Sequence, residues 1–132
     1  MNRPTHFEIQ CDDTARGVEF YKQVFGWDIQ KWESPLMEYW MVMTAPKNDK
    51  SEGINGGLLK RQGPPPVEGA ASNSFVCTMV VDAIDETLNK LTSNGGKIVV
   101  AKFAFPGMAW QAYCKDTEGN VFGLHQKDKN AA

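Results

Sequence analysis

The period of the apolar positions changes along the chain, and each change predicts an element. In THFEIQC, Phe7 and Ile9 alternate with His6, Glu8 and Gln10, which describes a strand with one apolar and one polar face. In TARGVEFYKQVF, Val18, Tyr21, Val24 and Phe25 recur at helical spacing, so a helix is expected with Tyr21 and Phe25 in the core. Asp12 and Asp13 precede it as N-cap candidates, and Gly26 stands where a C-cap glycine belongs. WDIQKW, MEYWMVMTA and INGGLLKR then predict strands, separated by an SP break and the polar PKNDKSEG turn.

The stretch QGPPPVEGAASN follows, and its prolines favour a stiff, extended connection. After it the order repeats. SFVCTMVV is a strand, Asp82 is expected to cap a helix carrying Ile84, Leu88 and Leu91 on one face, and NGG ends that helix. GKIVVAKF, MAWQAYCKD and NVFGLHQ are strands, joined by an FPGM turn and a DTEG turn, and KDKNAA is expected to fray. An order of strand, helix and three strands, read twice, predicts two copies of one unit. The expected fold is α+β: one domain over 1–132, with modules at about 4–61 and 73–127 and a linker at 62–72. The two βαβββ modules are expected to form one curved mixed sheet around a cleft, with the helices on the outer face.

Composition narrows the class. A chain of 132 residues with 42% hydrophobic residues can bury a core unaided. A net charge of −2 argues against gripping a phosphate backbone, so no nucleic-acid partner is expected. Apolar runs are too short to span a bilayer and the N-terminus lacks an apolar signal core, so a cytoplasmic protein without a membrane partner is expected. Cys11, Cys77 and Cys114 form no CxxC pair and read as reduced, packed thiols.

HFEI, FYKQVFGW, GGLLK, NGGKIV and FPGMAWQAYCKDTEGNVFGL together resemble the vicinal oxygen chelate superfamily of glyoxalases, bleomycin-resistance proteins and extradiol dioxygenases. The likeness runs over nearly the whole chain and is narrowest to the branch related to lactoylglutathione lyase. It implies a small-molecule ligand, a homodimer, and a divalent metal held by side chains from four strands. Carried over by residue, the ligand positions fall at His6, at Gly56 or Gly57, at Val76 and at Gly123. Only His6 can coordinate, so no intact metal set is expected.

Two readings of the site follow. Val121, Gly123 and His125 share one face of the last strand. In a relocated metal site, His6, Glu8 and His125 would offer two imidazoles and a carboxylate, the donor set of non-haem iron centres. In an organic-ligand site, His6, Glu8, Gln10, Trp40, Phe105, Trp110, Gln111 and His125 are the candidate contacts, and His6 and Glu8 the candidate catalytic groups. Trp110 and Gln111 must point to opposite faces, so at most one of them meets a ligand there. AKFAFPGMAW reads as a loop that could cover the site or pack at a dimer interface. The expected function is a glyoxalase/bleomycin-resistance-like protein holding a small organic molecule, with lyase-like chemistry if it is an enzyme. The alternatives are a non-catalytic sequestration protein and a metal-dependent lyase or dioxygenase with relocated ligands.

Overall fold

A computed structural model describes residues 2–70, 75–115, 117 and 120–132. It is α+β, with eight strands of mixed direction and two helices. The elements run β1 (Arg3–Cys11), α1 (Thr14–Phe25), β2 (Asp28–Trp32), β3 (Tyr39–Met43), β4 (Asn55–Lys60), β5 (Val76–Val80), α2 (Ile84–Ser93), β6 (Lys97–Phe105), β7 (Ala109–Lys115) and β8 (Val121–Lys127). Two compact units result: His6–Phe75, and Met1–Thr5 together with Val76–Ala132. Most of the expected DTEG turn and the end of the expected linker lie outside the described residues.

In the first unit the strand order is β2-β3-β4-β1. β1 pairs parallel with β4, and the remaining pairs are antiparallel. Alternation sorts the side chains as the sequence predicts. Phe7, Ile9, Leu58, Val42 and Ile29 make a core with Val18 of α1, while His6, Glu8 and Gln10 take the other face of β1. Asp13 caps α1 through Arg16 N–H at 3.0 Å, and Gly26 ends it in the left-handed region at φ 70°, a conformation glycine adopts without a Cβ penalty. The expected core face of α1 is narrower than its spacing implied. Only Val18 is buried, Tyr21 is half-buried, and Phe25 is 57% exposed. Tyr21 and Phe25 instead stack on Trp27, with Tyr21 nearly coplanar at 5.3 Å between centroids.

In the second unit the order is β5-β8-β7-β6, with β5 parallel to β8. Val81, Ile84, Leu88, Ala112, Cys114 and Leu124 form its core under α2. Asp82 is not the N-cap residue of this helix. The N-cap position is Ala83, which has no side-chain acceptor, and the amide of buried Ile84 donates to Gln126 Oε1 from β8 at 2.8 Å. A long-range side chain has taken the cap's role, satisfying one of the amides that every helix start leaves open.

Two further expectations are corrected. AKFAFPGMAW is not a free loop but the strand, FPGM turn and strand that the period also predicted: Lys97–Phe105 and Ala109–Lys115 are paired and only the residues between them turn. The tail after β8 is also held. Asp128 N–H donates to Met108 C=O, Gly107 N–H to Ala131 C=O, and Trp110 Nε1–H to Asp128 Oδ2, at 2.8–3.0 Å. The tail thus clasps the hairpin turn and buries Ala131. Among the described residues, no helix is long and apolar enough to cross a membrane.

Candidate functional site

Each unit carries one polar cluster on the strand face opposite its helix. In the first, parallel register places Glu8 beside Gly57 and His6 beside Asn55. Tyr39 enters from β3, whose Met41 is level with Gly57. The phenol therefore leans along β4, crosses Gly57, and meets His6: Tyr39 Oη lies 2.7 Å from His6 Nε2. Trp32 abuts the Tyr39 ring edge-on, with centroids 6.1 Å apart. Glu8 is buried, at 6% exposure, an unusual place for a carboxylate, which burial penalises in its charged form. Gln10 is half-buried on the same face.

In the second unit, Gly123 is level with Thr78 on β5 and Tyr113 on β7, and His125 is level with Val80 and Gln111. His125 Nδ1 and Gln111 Oε1 are 2.7 Å apart. With the amide oxygen as acceptor, Nδ1–H donates, and the lone pair resides on Nε2. Burial, aided by the charge of Lys127, lowers the His125 pKa below its ordinary value, which favours this neutral imidazole. Gln111 and Thr78 are buried polar residues. Thr78 Oγ1 has no hydrogen-bond partner among the described residues.

The glycines that the family resemblance marks as ligand positions are occupied notches. A Cβ on Gly57 would fall inside the Tyr39 phenol, and one on Gly56 would meet the Phe7 carbonyl and ring. At Gly123 it would collide with Thr78 Oγ1 and lie 3.0 Å from Gln111 Nε2. Val76 offers only an aliphatic side chain. Among the described residues, no group of three or more His, Cys, Asp or Glu side chains is gathered as metal ligands.

Of the sequence candidates, His6, Glu8 and Gln10 share the polar face of the first unit, and Gln111 and His125 that of the second. Phe105, level with Ala109 and edge-on to Phe103, falls on the Gln111 face. Trp40 and Trp110 stand on the helix-packed faces. Trp40 is level with core residue Leu58 and donates to Glu38. Trp110 packs on the α2 core beneath Lys102, whose Nζ is 4.6 Å from the ring centroid. Sequence reasoning missed Thr78 as a site residue and counted Tyr39 only among the aromatic side chains around the expected cleft. Thr78 was within reach, because it shares a strand face with Val76, two residues away. Burial raises the Cys11 and Cys114 pKa values, with Arg61 opposing at Cys11, as suits packed rather than reactive thiols.

The chain belongs to the glyoxalase/bleomycin resistance protein/dioxygenase superfamily, whose family model matches residues 3–124. Solved structures agree on the fold. A hypothetical protein from Bacillus halodurans superposes with a TM-score of 0.66 at 14% identity, covering 99% of this chain and 98% of that one. A Streptomyces coelicolor methylmalonyl-CoA epimerase variant, in complex with 2-nitronate-propionyl-CoA, gives 0.63 at 17% identity over 100% and 99%. A superfamily member from Vibrio splendidus gives 0.61 at 15% identity over 96% and 100%. No curated protein matches the chain by sequence.

Proposed function

We propose that this protein binds a small organic molecule through hydrogen-bonding side chains on its polar strand faces, without the superfamily's full metal site. The observation that carries this reading is the Tyr39 hydroxyl, which fills the notch over Gly57 and holds His6 Nε2, the one surviving family ligand atom, at 2.7 Å. A metal needs several donors at fixed geometry to bind tightly. Here one family position is taken up by a phenol, another by Thr78 and Gln111, and a third is aliphatic. The residues present do not fit the four-ligand ion.

Elemental analysis of untagged protein, before and after incubation with nickel, zinc, iron and manganese salts, tests this. The expected result is no stoichiometric ion. About one ion per chain, lost in His6→Ala, would overturn the reading in favour of a metal-dependent lyase or dioxygenase.

A catalytic version is favoured by Glu8, a buried carboxylate on the His6 face. A carboxylate within reach of a bound ligand can act as a general base. The epimerase neighbours make methylmalonyl-CoA the first compound to test for turnover. Turnover lost in Glu8→Gln would support an enzyme; stoichiometric binding alone would support sequestration. A homodimer, implied by the family resemblance, is part of the proposal, and light scattering on the eluting protein tests it.

A further inference from the structure

The polar cluster of the second unit leaves one group unused. Thr78 is 3% exposed, and its hydroxyl has no hydrogen-bond partner among the described residues. Buried polar atoms in folded proteins nearly always have partners, and leaving one without costs stability. Valine has the same shape and β-branching and would remove that cost. The hydroxyl lies over Gly123, where Gln111 Nε2 also converges. One strand pair away, Gln111 Oε1 fixes the His125 ring with its Nε2 lone pair available as an acceptor.

The set therefore offers donors, the Gln111 amide N–H groups and the Thr78 hydroxyl, beside one acceptor, His125 Nε2. Its complement is a ligand edge that carries an acceptor next to a donor. A carboxamide or lactam has such an edge, with C=O adjacent to N–H. Register also puts Val80 and Phe103 on this face, level with His125 and Gln111, so the flanks suit an apolar or aromatic body rather than a charged one.

We propose that Thr78, Gln111 and His125 form a subsite for the carboxamide or lactam group of a neutral, partly apolar ligand. The ligand N–H donates to His125 Nε2, and its carbonyl accepts from Gln111 and Thr78. This inference rests on the organic-ligand reading above and names the chemistry such a ligand brings.

The test uses benzamide as probe, with acetophenone and benzoate as controls that carry the acceptor but no N–H. Each is titrated into the full chain, with binding followed by amide shifts in nitrogen-edited NMR. Benzamide is expected to bind at least about tenfold more tightly than either control, with shifts centred on 78, 111 and 125. His125→Phe is expected to abolish that preference. If that variant does not fold, His125→Gln takes its place.

Thr78→Val is the variant that a merely structural role would not explain. It is expected to raise the melting temperature while weakening benzamide several-fold. Nitrogen chemical shifts of His125 are expected to report a neutral ring protonated at Nδ1. Benzamide bound no better than acetophenone, or a Thr78→Val protein that is less stable with unchanged binding, would overturn the subsite. A chelator-treated sample runs in parallel. If an ion leaves and benzamide binding leaves with it, the organic-ligand reading has failed; if discrimination fails with no ion present, only the subsite has.

Discussion

Gly57→Ala is the sharpest perturbation of the site, because one methyl group sets Tyr39 against β4. Its Cβ would overlap the phenol, and Tyr39 is itself buried and tied to His6. Overpacking of a filled interior costs about 1–3 kcal/mol. Moving the ring away also gives up the bond to His6, about 0.5–1.5 kcal/mol. Against this, alanine reduces the freedom of the unfolded chain, a gain of about 0.4–1 kcal/mol. The expected net loss is about 2 kcal/mol. Urea unfolding followed by circular dichroism measures it by linear extrapolation. The mechanism is isolated by a double-mutant cycle. Tyr39→Ala removes the obstacle, so Gly57→Ala in that background should cost close to nothing, a coupling of about 2 kcal/mol. If the two changes add to within about 0.5 kcal/mol, the methyl is not meeting Tyr39 and the filled notch is the wrong description.

Other predictions follow from the same contacts. Gln126→Ala should cost about 0.5–2 kcal/mol, the range of a lost N-cap, because it strands the buried Ile84 amide; denaturant unfolding checks it. Deleting residues 128–132 removes the clasp on the hairpin turn and should cost about 2–4 kcal/mol at roughly 1 kcal/mol per bond. Hydrogen exchange at Gly107 should rise in that truncation, and an unchanged rate would mean the clasp is not formed. The lowered His125 pKa, caused by burial first and Lys127 second, has a definite sign. The unfolded chain takes up the proton first as pH falls, so this stabilisation is complete above the ordinary histidine value near 6.5 and fades as pH drops through the lower folded value. Comparing urea midpoints across that window for wild type and His125→Asn should show a smaller acid loss in the variant.

The legibility of this fold has a simple origin. Strand period, helix period and punctuation are local, and they located the strands, both helices and the Gly26 cap from the letters alone. Where the reading failed, the deciding contact was long-range. The α2 cap comes from Gln126, 42 residues along the chain from Ile84, so the nearer Asp82 looked sufficient. KDKNAA looked frayed because its partners, Met108 and Gly107, lie in another turn. Helical spacing marked Phe25 as core, but the strands beneath α1 reach only as far as Val18 and, in part, Tyr21.

The candidate site divides along the same line. By itself the sequence determined which residue types stand on the polar faces: His6, Glu8 and Gln10 on one strand and Gly123 and His125 on another, because alternation along a strand depends on nothing else. The family resemblance adds that three of the four implied ligand positions, at Gly56 or Gly57, Val76 and Gly123, carry no coordinating side chain. Only the tertiary structure decided what stands there instead. Tyr39 reaches Gly57 and His6 through the pairing of β3 with β4 and β4 with β1. Thr78 and Gln111 converge on Gly123 through the pairing of β8 with β5 and β7. Strand register couples residues far apart in sequence, and a slip of one residue would send every such side chain to the other face.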